Sequence, residues 1–254
     1  MSRFKSRSWQ LAVGIGLCSS LWLEAALAQF NSGNYQPSGA IGTPQRTQGG
    51  ASRGNRTSDC PVPTGSAIVA VIPENSFGVT LQSHPTFLFH LPALNADAPP
   101  PQMEFVLRDK DDNDLYRVRF LLNSGGGIAR IKLQDTMGYR GLEANQEYQW
   151  SVAMICRLND RSRDIVAAGL IRRVPTPPEL VNLTTTPSVE RVEALSRAGI
   201  WYDALAELAD LQRVNPTVTS NQWQSLLQSV GLQNIARESF INGSERLAST
   251  IPQN

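Results

Sequence analysis

Asp109-Lys110-Asp111-Asp112-Asn113-Asp114 is the densest run of oxygen ligands in the chain. Asp109, Asp111 and Asn113 copy the first three ligand positions of a calcium loop, where a hard cation gathers roughly six to eight oxygens. The copy ends there. Asp114 stands where the EF-hand loop needs Gly, and Phe120 where it needs a bidentate Glu, so the EF-hand is excluded. A calcium site of looser geometry on Asp109, Asp111 and Asn113 competes with a plainer role, the bending of a hairpin turn. His84 and His90 are the two histidines, and Ser83 precedes the first. A Ser–His pair suggests acyl transfer, but no Gly-x-Ser-x-Gly elbow is present. His84 also precedes Pro85 at a strand entry, where a backbone hydrogen bond is the expected role. Glu143 and Glu147 flank a turn, and nothing fixes a second carboxylate at glycosidase distance. Trp201, Tyr202 and Trp223 are candidate contacts for a peptide or glycan, against a core-packing role on helices. Tyr202 is expected to be the most exposed of the three.

The compartment follows from residues 1–28. Arg3, Lys5 and Arg7 precede an apolar run from Leu11 to Leu23, and Ala26-Leu27-Ala28 supplies small residues at a cleavage site. This reads as a secretory signal peptide. The run falls short of the about 20 residues of a membrane span, and Glu24 interrupts its end. No membrane span is expected after cleavage, and the mature protein is expected in the periplasm or outside the cell. Cys18 leaves with the signal, since Leu17 precedes it where a lipoprotein needs a small residue. The whole chain carries +1, and removing the cationic signal leaves it near neutral, so no nucleic-acid partner is expected. Cys60 and Cys156 remain, and in an oxidising compartment an even pair reads as a disulfide. The competing metal site lacks histidines nearby. Closing so long a loop stabilises by up to about 4.7 kcal/mol in the chain-entropy model.

These residues need elements to position them. Residues 29–59 are Gly, Ser, Asn, Gln, Thr and Pro with little to bury, and are expected as a disordered linker. Residues 60–175 hold about seven short strand patterns bounded by turn residues: 67–72, 86–91, 103–107, 116–122, 131–133, 148–156 and 165–174. A turn centred near Asp111-Asp112 sets Leu107 against Tyr116, Phe105 against Val118 and Met103 against Phe120, all on one face. Tyr148, six residues after Leu142, resembles the tyrosine corner of immunoglobulin-like and fibronectin type III sandwiches. Pro-rich residues 176–187 form a linker. Residues 188–242 show helical periodicity in three segments, and 243–254 read as a flexible tail. Thr186 is expected to cap the first helix and Gly199 to stop it. The second runs from Trp201 and ends before Pro216, and Thr219 or Ser220 caps the third, stopped by Gly231. Gly199 through Pro216 is similar to half of a tetratricopeptide repeat, but one copy makes a hairpin, not an array.

The motifs combine into a wider likeness. Asp59-Cys60-Pro61-Val62-Pro63, Ala70-Val71-Ile72-Pro73-Glu74-Asn75, His84-Pro85-Thr86-Phe87, Asp111-Asp112-Asn113-Asp114, Tyr148-Gln149-Trp150 and Gly199-Ile200-Trp201-Tyr202-Asp203-Ala204-Leu205 together resemble a secreted cyanobacterial family. That family is known as a domain of unknown function, family 928, and the likeness covers roughly residues 59–240. It implies a cyanobacterial periplasmic or extracellular protein and carries over no catalytic residues.

The reading is an α+β chain: an immunoglobulin- or fibronectin-like antiparallel sandwich stapled by Cys60–Cys156, then a small helical subdomain with a tetratricopeptide-like hairpin. The expected function is an exported, non-enzymatic binding or scaffolding protein of the cell envelope. Its partner is an envelope protein or glycan, met in the groove between sandwich and helices. No cofactor is expected beyond the candidate calcium. The alternatives are an envelope hydrolase acting on glycan or peptide and a calcium-stabilised adhesion module. The last predicts that added calcium raises the melting temperature and that Asp111→Ala abolishes the rise; an unchanged melting temperature removes it.

Overall fold

A computed structural model describes residues 60–122, 126–135, 139–241 and 244–247, the last by backbone alone. The expected signal peptide, the expected 29–59 linker and residues 248–254 lie outside the described residues. Among the described residues nine strands form two sheets. The smaller holds β1 (Val69–Ala70), β3 (Thr86–Leu91) and β6 (Gly127–Lys132), in the order β1-β3-β6. The larger holds β2 (Phe77–Thr80), β4 (Gln102–Arg108), β5 (Asp114–Leu122), β7 (Glu147–Ile155), β8 (Ile165–Arg173) and β9 (Ser244–Leu247). Its order is β2-β8-β7-β4-β5-β9.

The β4–β5 hairpin has the register that its alternation dictates, pairing Leu107 with Tyr116, Phe105 with Val118 and Met103 with Phe120. A bulge falls between Leu107 and Arg108, and Asp112 takes a left-handed conformation (φ 63°) in the turn. Inward side chains meet across the two sheets: the Phe87 ring lies 5.0 Å from that of Phe105 and 5.2 Å from that of Trp150. The Cys60–Cys156 disulfide joins the first described residue to the end of β7 across 96 positions.

Several expectations need correction. β2 pairs parallel with β8, so the sheets are mixed and not antiparallel throughout. Its four residues include Gly78 and carry too little apolar alternation to be read as a strand. The expected flexible tail contains β9, which pairs antiparallel with β5 over Arg119–Leu122. Just before it, Ile128 donates to the Ser239 carbonyl and accepts from the Ile241 N–H, so this segment passes from the small sheet to the large one.

Among the described residues three α-helices lie between β8 and β9 in chain order, α1 (Val189–Arg197), α2 (Trp201–Val214) and α3 (Pro216–Gln228). Ser188, not Thr186, caps α1, its hydroxyl accepting from the Arg191 N–H at 3.2 Å. Pro216 opens α3 instead of merely ending α2, because a proline at the first helical position lacks a proton that would be unpaired anyway. Thr219 and Ser220 are therefore interior. Gly199 and Gly231 end their helices with φ of 73° each, as expected. One buried cluster includes Phe87, Trp150, Trp201, Leu208 and Trp223 together. The passage at 176–187 changes element type without separating two cores.

The outer face of the large sheet carries one buried acid. Glu104 is only 4% exposed and accepts from Arg119 Nε at 2.6 Å and Arg161 Nη2 at 2.8 Å, with Arg117 Nη1 at 3.1 Å. Burial pushes its carboxyl up, but the hydrogen bonds from Arg161 and Arg119 and the charge of Arg117 prevail and hold it down at about 2. A depressed acid stabilises the fold above its unfolded value and loses that contribution as pH falls towards the folded one. Stability linked to Glu104 should thus decline between about pH 4.5 and about pH 2. Glu104→Gln should flatten that decline and cost about 3 kcal/mol at pH 7, since three guanidinium groups then face one another. Urea unfolding across pH measures both.

Candidate functional site

The site is built by three consecutive residues that open α2. Trp201 Nε1–H donates to the Val71 carbonyl at 3.0 Å. The Tyr202 hydroxyl accepts from Trp150 Nε1–H at 2.7 Å and donates to the Leu170 carbonyl at 3.1 Å. Asp203 accepts from the Thr80 hydroxyl at 2.6 Å, the Leu81 N–H at 3.2 Å and Gln82 Nε2 at 3.3 Å. Burial pushes the Asp203 carboxyl above its ordinary value, and these three donors oppose that push. Gly78 admits the tyrosine: a Cβ there would lie 2.7 Å from the Tyr202 ring.

Beside this junction runs a groove of about 280 Å3, near the small end of the usual ligand-site range of about 300–1,000 Å3. The strand side contributes Gln82, His84, Thr86, Arg130 and Lys132, and the helix side Arg191, Ala206, Glu207 and Asp210. One ion pair crosses it, Arg130 of β6 to Asp210 of α2, and a second, Arg191 of α1 to Glu207 of α2 at 2.8 Å, joins the two helices along its helix side. The groove therefore lies between the sheets and the helices, and its charges are largely matched within it.

The sequence-derived candidates are distributed as follows. Trp201, Tyr202 and Trp223 are 0%, 1% and 1% exposed. None offers a surface to a partner, and Tyr202 is no more exposed than its neighbours, because its hydroxyl is needed inside. Trp223 packs against the Phe240 ring at 5.3 Å. Asp109 directs its oxygens at the Asp111 N–H, the Asn113 N–H and Asn113 Nδ2, each at 2.9 Å, which closes the turn. Among the described residues no cluster of three or more His, Cys, Asp or Glu is arranged to hold a metal ion. Cys60 and Cys156 are consumed by their bond. The Tyr148 hydroxyl accepts from the Glu143 N–H at 2.9 Å, pinning the turn before β7.

His84 does reach the groove, where Asp203, Glu207 and Asp210 also lie. Its Nδ1 is hydrogen-bonded to the Ser83 hydroxyl at 3.0 Å, and its buried Nε2 has no partner. The expected backbone bond is absent, and so is the carboxylate bond that would orient a catalytic histidine. His90 Nδ1 is also buried without a partner, and burial lowers the pKa of that ring against the charge of Glu238. Lys132, Arg130 and Asp210 were invisible as site residues. They read as ordinary strand and helix surface, and only the packing of α2 beside β6 brings them together.

A family profile described as Domain of Unknown Function (DUF928) matches residues 48–240. No curated protein matches the chain.

The junction makes a direct prediction. Tyr202→Phe removes one hydroxyl and leaves the Trp150 N–H and the Leu170 carbonyl buried without that partner. Unfolding free energy should fall by about 2–4 kcal/mol, as read by urea denaturation, while a loss below about 0.5 kcal/mol would show that the hydroxyl contributes nothing net.

Proposed function

We propose that this chain, which belongs to the DUF928 family, is an exported, non-enzymatic binding or scaffolding module of the cell envelope. The carrying observation is the groove between helices and sheets: it is preformed, polar and bounded by ion pairs, and its histidine has no orienting acid. Pre-organised concave surfaces of this kind are usual sites of ligand recognition. Export is supported by the signal-like residues 1–28 and by the Cys60–Cys156 bond, which suits an oxidising compartment. An immunoglobulin-like reading of the sheets is supported by the Tyr148–Glu143 contact, and the helices read as a docked hairpin followed by α3.

An envelope hydrolase is the second reading, favoured by the 3.0 Å contact of Ser83 with His84 beside the groove. A nucleophile–base pair works when a third group orients the base, and Nε2 has none.

Ala206 lines the groove on α2, one turn from both Tyr202 and Asp210. Ala206→Trp should fill the groove while leaving the junction bonds intact. Cross-linking capture from envelope fractions should lose its specific product in the variant at an unchanged melting temperature; retention of that product sinks the groove as the contact site. Turnover of cell-wall glycan or peptide by the wild type, abolished in Ser83→Ala, would replace the binding reading with the hydrolase.

A further inference from the structure

We propose that the groove binds the carboxylate of an extended acidic peptide, with Lys132 as its cationic anchor; this rests on the groove being the binding site. Of the three cations lining it, two are paired with acids and one is not. Asp210 pairs with Arg130 and Glu207 with Arg191, while Asp203 is held by Thr80, Leu81 and Gln82. Among the described residues Lys132 has no acidic partner, and its side chain is exposed. It pairs directly with Thr86 in the β3–β6 register, so the two side chains share one face of the sheet. His84 lies two residues before Thr86 and lines the same groove.

An ammonium with neighbouring neutral donors is a carboxylate receptor, since charge-assisted hydrogen bonds are the strong ones. The opposite wall sets the rest of the specificity. Glu207 and Asp210 line the α2 side, so the backbone N–H groups of a peptide suit it and a second acid there would be repelled. A glycan fits less well. Sugar rings stack on exposed aromatic faces, and the single aromatic lining the groove, Tyr202, is 1% exposed. Nucleic acid needs several free cations along a track, and the groove supplies one.

The test uses fluorescence anisotropy with one labelled hexapeptide scaffold in three forms: Glu side chains with an amidated end, Gln side chains with a free carboxyl end, and Gln side chains with an amidated end. Oligogalacturonate serves as the acidic glycan. The full chain with its disulfide intact should bind at least one carboxylate-bearing form about tenfold more tightly than the neutral one. That preference should weaken with salt and vanish in Lys132→Gln. Which carboxylate form wins tells side-chain from C-terminal recognition. Equal binding of all three forms, no binding of any, a preference that survives Lys132→Gln, or stronger binding of oligogalacturonate would each overturn the proposal. Ala206→Trp separates the two levels. Carboxylate binding that survives a filled groove refutes the groove itself, whereas binding blocked by Ala206→Trp but indifferent to Lys132→Gln refutes only the acidic specificity.

Discussion

The structure turns on three successive side chains, Trp201, Tyr202 and Asp203, which carry polar atoms from the start of a helix into the interior of two sheets. Buried donors and acceptors are costly when unpaired, so the indole, phenol and carboxylate each had to find partners at fixed points. Those points are the Val71 and Leu170 carbonyls, the Trp150 indole and the Thr80–Gln82 segment. Apolar packing alone would let a helix slide or roll by a fraction of a turn. Hydrogen bonds that must all be satisfied at once select one pose.

The groove is a consequence of that pose. Once Tyr202 and Asp203 are fixed, the next turns of α2 bring Ala206, Glu207 and Asp210 past β6, and the Arg130–Asp210 pair spans the gap. The last described segments act from the other end. Residues 239–241 add to the small sheet, β9 adds to the large one, and the Cys60–Cys156 bond ties the start of the fold to β7. The groove is thus bordered by elements held from several directions, which leaves little of it to be ordered by a ligand.

Charge is handled in two different ways. On the outer sheet face Glu104 is surrounded by three arginines and stays ionised to well below the usual carboxylate range. In the groove Asp210 and Glu207 pair with arginines, Asp203 is held by neutral donors, and Lys132 has no acidic partner among the described residues. The first arrangement stabilises the fold, and the second leaves a charge to offer. The acidic hairpin turn, which looks most like a binding site in the sequence, uses the oxygens of Asp109 to bend its own backbone.

By itself the sequence determined whatever depends on neighbours along the chain. Alternation along β4 and β5 sets their register to the residue, turn chemistry places the Asp109–Asn113 bend, and Gly199 and Gly231 end their helices where expected. The disulfide is expected from the two cysteines that follow the signal-like residues 1–28. The cap at Ser188 and the start of α3 at Pro216 were misread because several adjacent Ser, Thr and Pro residues offered similar local solutions. Only the tertiary structure decided β2, the β9 pairing, the burial of Tyr202 and the presence of Lys132 and α2 residues in one groove. Each of these depends on contacts between residues far apart in sequence, where periodicity carries no information. A tyrosine on a helix looks the same whether its hydroxyl faces water or, as here, an indole 52 positions away.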